Sequence, residues 1–262
     1  QINPLGEILP RSISDIVVSV QYAAEHELSL HPRGAGSGVA GESLGNGLIL
    51  DFSRYMRRLT VSPDESQVTV QSGAALSIVN RTLRQRGRWY GPDPVTRSIT
   101  TMGSVLATNA SGSHYLRSGS ARDTIDSMRI VTIDGELVEL SRHDPATADG
   151  TAGRLARGIA EIRSQFKPLI DARATAPKSR GGYRFDDIVD DAGQVDLAKF
   201  RVGTQGTRGI MDDATVRTDA IPAHRGVVLL FFHRLDSAAR CGVEALRHGL
   251  VACDLMDRRL LQ

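Results

Sequence analysis

Pro32-Arg33-Gly34-Ala35-Gly36-Ser37-Gly38 is the stretch on which the fold is decided. Successive small residues let backbone N–H groups converge on an anion without interference from Cβ atoms. Ser37 adds a hydroxyl and Arg33 a charge at the rim. No Gly-Lys-Ser/Thr follows, so this is not a Walker A loop, and the glycine spacing lacks the third position of a Rossmann fingerprint. The loop also joins strand to strand. Taken alone, it reads equally as a flexible surface turn.

Upstream, Ser12 or Ser14 can cap a helix whose Ile13, Ile16, Val17, Val20, Ala23 and Ala24 share one face. Residues before Leu9 show little strand character. A short strand is expected over Leu28 to His31, closed by Pro32, and a buried strand over Leu48 to Leu50, ending at Asp51. Downstream, Val61, Val68 and Val70 alternate as half-buried strands about a Pro63-Asp64 turn, and a helix over Ala75 to Arg86 stops at Gly87. Asp134-Gly135 between Met128–Ile133 and Glu136–Leu140 signals a hairpin. A helix is expected over Arg154 to Ile170 and a strand over Ala214 to Thr218. Pro222 marks a boundary. Beyond it, strand, helix and strand are expected over Val227–Phe232, Asp236–His248 and Val251–Met256.

Two further small-residue clusters follow the first. Gly91-Pro92-Asp93-Pro94, Thr100-Thr101-Met102-Gly103-Ser104 and Asn109-Ala110-Ser111-Gly112-Ser113 enclose the apolar Val105-Leu106-Ala107; a tightly packed small-residue helix is the plainer alternative. The third cluster is Gly203, Gly206 and Gly209.

Composition narrows the class. The 262 residues, 40% hydrophobic and 24% charged, exclude a disordered, collagen-like or coiled-coil chain. Val227–Phe232 is too short an apolar run to span a bilayer, and no signal peptide is visible. Net charge is only +2, with acids interspersed among the arginines, so nucleic-acid binding is not indicated. Cys241 and Cys253 stand without CxxC or His partners, which gives no zinc site and favours a cytoplasmic setting. The 26 glycines, a tenth of the chain against a usual ~7%, are the informative excess.

The ordered set Pro-Arg-Gly-x-Gly-x-Gly, Leu50-Asp-Phe-Ser-Arg54, Val68-Thr-Val-Gln-Ser-Gly73, Gly91-Pro-Asp93, Thr101-Met-Gly-Ser104, Thr108-Asn-Ala-Ser-Gly112, Tyr115 to Gly119, Lys178 to Tyr183 and Gly203-Thr-Gln-Gly-Thr-Arg-Gly-Ile210 resembles the FAD-binding domain of the vanillyl-alcohol oxidase / p-cresol methylhydroxylase (PCMH-type) superfamily. Within it, the chain is most similar to FAD-linked 2-hydroxy-acid dehydrogenases such as the glycolate oxidase D subunit and D-lactate dehydrogenase. The resemblance implies an α+β fold in two lobes, residues 1–58 and 59–222, with residues 223–262 the truncated start of a substrate (cap) domain.

It further implies FAD lying extended between the lobes. Pro32, Arg33, Gly34, Ala35, Gly36, Ser37, Gly38 and Gly41 would hold the pyrophosphate. Pro92, Asp93, Thr101, Gly103, Ser104, Asn109, Ser111 and Gly112 belong to the second region, of which Thr101, Gly103, Ser104, Asn109, Ser111 and Gly112 would line the ribityl and flavin side. Gly119 and the Ile130 backbone would meet the adenosine half, and Gly206 to Gly209 would close on the flavin. Relatives that attach FAD covalently from the first loop carry His where Ser37 stands, so non-covalent FAD is expected. The third cluster departs from the family's Gly-Ser-Glu-Gly-Thr-Leu-Gly at Gln205 and Arg208. In such relatives a small-molecule hydroxy acid gives its α-hydrogen to the flavin, and the base lies mostly in the C-terminal domain, so no catalytic base is named here. An electron acceptor or fused iron–sulfur domain is compatible with the resemblance, as is peripheral attachment to the inner face of a membrane.

Other residues keep two readings. His114 sits beside the second loop as a candidate for approach to the flavin or as a packed residue; His31 reads as structural. Arg117 and Arg122 serve phosphates or carboxylates such as Asp123 and Asp126. Arg180 and Tyr183 border the substrate side or anchor a loop. Asp186, Asp187, Asp190 and Asp191 read as a solvated helix end before a metal site. The rival functions are another FAD oxidase or reductase, acting on a sugar or aromatic alcohol, and a non-catalytic nucleotide-binding module.

Overall fold

The computed structural model describes residues 2–173 and 182–259. It begins with a strand where little strand character was expected: β1 (Gly6–Ile8) pairs in parallel with β3 (Leu48–Asp51), Glu7 opposite Ile49. Between them run α1 (Ile13–Glu25) and β2 (Leu30–Arg33), and the sheet order is β1-β3-β2. Ser12 caps α1 in a capping box with Asp15, so two otherwise unpaired N–H groups are satisfied reciprocally. Pro32 lies inside β2 rather than closing it; this is an edge strand, where a missing donor is tolerated.

A second sheet is wholly antiparallel in the order β4-β5-β11-β7-β8, from β4 (Leu59–Val61), β5 (Gln67–Gln71), β7 (Ile125–Val131), β8 (Leu137–Leu140) and β11 (Ile210–Arg217). The Asp134-Gly135 turn closes the β7–β8 hairpin with Gly135 at φ +78°, a left-handed conformation that glycine adopts without strain. Strand β11 enters the centre of the sheet from late in the chain and carries a bulge between Met211 and Asp213. Short strands β6 (Arg88–Trp89) and β12 (Asp219–Ala220) pair with each other, as do β9 (Arg142–His143) and β10 (Val195–Asp196).

Helices α2 (Leu76–Arg84), α3 (Met102–Ala107), α4 (Tyr115–Ser118), α5 (Ala121–Thr124), α6 (Gly150–Gln165), α7 (Lys167–Arg173), α8 (Leu197–Arg201) and α9 (Leu235–Ala245), the last continued by a 3-10 turn over Leu246–His248, complete the described elements. The single helix expected over 154–170 is two. Pro168 has no N–H for the Ser164 carbonyl and its ring crowds that group, so α6 caps at Phe166 and α7 restarts.

One large core joins the second sheet to α2, α3, α6 and α8 through residues such as Val70, Leu76, Leu83, Met102 and Leu197. A smaller core sets Ile16 and Val20 of α1 and Leu50 of β3 against Val131 and Ile210 of the second sheet, which couples the two layers.

The expected strands over Val227–Phe232 and Val251–Met256 do not form. Among the described residues nothing pairs with either run, and the side chains from 227 to 232 are 44–89% exposed. Hydrophobic composition favours burial, but a strand exists only through its hydrogen-bonded neighbour. Among the described residues no helix is long and apolar enough to cross a membrane.

Candidate functional site

The three glycine clusters meet at one cleft. The loop after β2 leans on the first turn of α3: a Cβ on Gly34 would fall 2.2 Å from Thr101 Oγ1 and 2.3 Å from Ser104 Oγ, so only glycine allows this approach. Thr101 caps α3 by accepting from the Ser104 N–H. From the other side, Gly206 (φ +85°) approaches the loop's first residue, and a Cβ there would lie 2.7 Å from Pro32 Cγ. A Cβ on Gly209 (φ +106°) would lie 2.7 Å from the Val131 carbonyl. Each glycine holds a place that a side chain would fill.

The cleft they bound has a volume of about 320 Å³. Of the expected cofactor-binding residues it is lined by Pro32, Arg33, Gly34, Gly36, Ser37 and Gly38 from the first loop, by Thr101, Gly103 and Ser104 from α3, and by Gly206 and Gly209. The others fall outside this lining. Ala35 and Gly41 are exposed in or after the first loop. Asp93 accepts from His114, with Oδ2 2.6 Å from Nδ1, and a Cβ on Gly112 would strike the Asp93 carbonyl at 2.1 Å. Pro92 is buried beside them in sequence, and His114 is further fixed edge-on against Trp89. Asn109 is buried at φ +50° and accepts the Arg122 N–H at 2.9 Å, while Gly119 takes the C-cap of α4 at φ +66°. Ile130 sits within β7, between β8 and β11. Ser111 Oγ is buried without a hydrogen-bond partner among the described residues.

Electrostatics at the cleft differ from the sequence expectation. Arg33, read as a free charge at the rim, donates to Asp51 (Nη2 to Oδ2 2.6 Å) and to Glu7, so its charge is already matched. Burial pushes the Asp51 carboxyl up, but hydrogen bonds from Ser53 and Arg33 outweigh it and hold the group below the usual carboxylate range. The first loop carries an acid of its own: Glu42 folds over Gly38 and accepts the Ala40 N–H at 3.2 Å.

Arg201, not anticipated from the sequence, also lines the cleft. It is 6% exposed and donates to the Thr204 hydroxyl and, at 2.5 Å, to the Gly209 carbonyl. Burial, with some repulsion from Arg208, pushes its pKa down to about 10, which still leaves it charged at neutral pH. Arg208 lies between the Tyr183 and Phe200 rings, 3.8 and 3.9 Å from their centroids. Tyr183 in turn bonds the Thr207 hydroxyl at 2.6 Å. A loop-anchoring contact is therefore present at Tyr183; Lys178 and Arg180 lie outside the described residues.

The remaining charges are structural. Arg122 meets carbonyls of Lys199 and Asp186 and the Asp187 carboxylate at 2.7 Å, rather than Asp123 or Asp126. Asp186 pairs with Arg184, and Asp190 with Arg142. Among the described residues no group of three or more His, Cys, Asp or Glu is placed to hold a metal.

Residues 4–141 match the FAD binding domain family, and the chain belongs to it. It is 26% identical over 274 residues to D-2-hydroxyglutarate dehydrogenase of Escherichia coli (strain K12), a match covering 100% of this chain and 27% of that protein. It is 25% identical to glycolate oxidase subunit GlcD of Bacillus subtilis (strain 168), covering 90% of this chain and 42% of the relative. The chain thus spans about a quarter to two fifths of the length of these relatives. In fold it is similar to a solved alkyldihydroxyacetonephosphate synthase, with a TM-score of 0.57 at 21% identity over 83% of this chain and 32% of that one.

FAD is the cofactor of this domain. The residues present fit it: glycine-cleared approaches at Gly34 and Gly206, hydroxyls of Ser37, Thr101 and Ser104 on one cleft, and a charged guanidinium in its wall. When bound, the flavin supplies the two-electron redox chemistry, while the protein contributes binding and orientation.

Proposed function

We propose that this chain is the FAD-holding part of an oxidoreductase that oxidises a small 2-hydroxy acid, with FAD bound non-covalently. The observation that carries the reading is the convergence of three sequence-distant glycine clusters on one cleft in a chain of the FAD binding domain family. The substrate class rests on the named relatives, several of which are dehydrogenases of 2-hydroxy acids. The first loop and its Ser37 would take the pyrophosphate, and Thr101, Gly103 and Ser104 the ribityl and flavin side. Ser37 supports non-covalent attachment because its hydroxyl stands where covalent relatives place a histidine. Residues 1–58 and 59–222 would be the two lobes, in keeping with a first sheet within 6–51 and a second within 59–217. Residues 223–262 would begin a substrate domain, and the general base would come from outside this chain.

Purified protein should be yellow, or should take up added FAD and develop flavin absorbance. A colourless protein that cannot take up FAD overturns the reading. Acid precipitation should release the flavin to the supernatant; flavin remaining in the pellet overturns non-covalent binding. In a protein that holds this domain together with a substrate domain, bound flavin should be bleached by one or more members of a panel of D- and L-2-hydroxy acids and not by sugars or aromatic alcohols.

A further inference from the structure

A buried cation without a counter-charge is strongly disfavoured in a folded protein, because desolvation is not repaid by a partner. Arg201 is in that position. Its two hydrogen bonds go to neutral oxygens, its Nε–H has no partner, and no carboxylate forms an ion pair with it among the described residues. The sequence outside the description, residues 1, 174–181 and 260–262, contains no Asp or Glu side chain to supply one. Arg208 adds a second guanidinium to the same corner, set between two rings and likewise without an ion pair among the described residues. Arg208 does not itself line the cleft, and the one acid of the lining, Glu42, folds over Gly38 of the first loop and forms no ion pair with Arg201, so the buried Arg201 charge stands uncompensated in the cleft wall, an arrangement that marks a candidate binding site.

The position of this wall names the ligand chemistry. Arg201 bounds the same cleft as Gly36, Ser37 and Gly38, whose small side chains leave backbone N–H groups free to converge on an anion. The loop that carries Gly206 from Arg201 reaches Pro32, where that first loop begins. The other arginine of the cleft, Arg33, is neutralised by Asp51 and Glu7, so it does not fill this role.

We propose that Arg201 is an anion-binding residue of this cleft and meets the diphosphate of the dinucleotide across from the first glycine loop. The assignment rests on the FAD reading above. It gives the phosphates a charged partner in addition to backbone amides, and it gives the buried guanidinium the counter-charge that the described residues do not supply.

The test compares flavins with and without phosphates on the full 262-residue apo chain. Dissociation constants of FAD and riboflavin are measured by flavin fluorescence for the unmodified chain, Arg201→Met and Arg201→Lys. Arg201→Met should weaken FAD by roughly tenfold or more, in line with loss of a charge-assisted contact, and leave riboflavin within about twofold. Arg201→Lys should restore part of the FAD affinity, and added salt should weaken FAD less in Arg201→Met than in the unmodified chain. Equal weakening of FAD and riboflavin, or none, overturns the proposal. Inorganic pyrophosphate provides a second measurement that needs no flavin: it should raise the Tm of the unmodified chain and not that of Arg201→Met. An unmodified chain that takes up no FAD but is stabilised by pyrophosphate through Arg201 sinks the FAD reading and leaves the anion site. A chain that binds FAD yet shows no difference between the variants sinks the anion site alone.

Discussion

Arg122 and Arg201 are buried almost equally, at 1% and 6% exposure, yet their surroundings are opposite. Arg122 lies where α5, α8 and the 186–187 segment meet, and its Nη groups donate to two carbonyls and the Asp187 carboxylate, while its Nε–H, like that of Arg201, has no partner among the described residues. Arg201 stands at the end of α8 on the cleft wall and meets only neutral oxygens. The first has its counter-charge within the chain; the second has none among the described residues. Burial therefore does not separate a structural charge from a binding one. The presence of a counter-charge does.

The largest expected effect breaks the structural member of the pair. Arg122→Met should destabilise the fold by about 1–3 kcal/mol, because it strips the Lys199 and Asp186 carbonyls of their donor while the half-exposed Asp187 keeps Lys199, measured by urea denaturation of the apo chain. Arg201→Met should show no such loss in the same measurement, because it removes an uncompensated charge; a loss as large as that of Arg122→Met would erase the distinction. Next comes the loop that Arg201 faces. Gly34→Ala forces a Cβ against Thr101 and Ser104 and should weaken FAD by about tenfold, read by fluorescence titration, with riboflavin affected as well.

Acid sharpens the comparison further. Burial pushes the Asp187 carboxyl up, but Lys199 and Arg122 overcome it and hold its folded pKa below the ordinary 3.8. A group whose pKa falls on folding contributes stability that is present above its unfolded value and is lost as pH falls through the folded one. Stability should therefore drop below pH 3.8, and the acid limb should be shallower in Asp187→Asn, as followed by circular dichroism across pH 2 to 6. The smallest effect is expected at Glu42, the acid that folds over Gly38 in the first loop. Glu42→Gln should tighten FAD by about two- to fivefold at low salt by removing a like charge from the phosphate loop.

What the sequence discloses of this molecule follows the range of the forces involved. The cap at Ser12, one of the two serines the sequence offers, and the turn at Asp134-Gly135 are local chemistry and lie where the sequence puts them, while the helix expected to run to Arg86 ends at Arg84, with Gly87 in the turn that follows. The glycine clusters are legible because close approach demands glycine whatever the partner. Strand pairing is not local: the three residues of β1 carry no pattern of their own, and the apolar run Val227–Phe232 carries no record of a neighbour. Arg201 was invisible for the same reason. One arginine among many announces itself only when folding shows that no carboxylate comes near it, just as Arg33 loses its apparent freedom only when Glu7 and Asp51 are brought beside it.

That last contact reaches beyond charge balance. Glu7 is on β1, Asp51 on β3 and Arg33 on β2, so a single guanidinium ties together the three strands of the first sheet where the glycine loop departs. The take-off direction of the loop is thereby set by the strands and not by whatever the loop will hold. A ligand arriving at such a loop finds its base already aimed, and part of the ordering entropy that binding would otherwise demand has been met during folding.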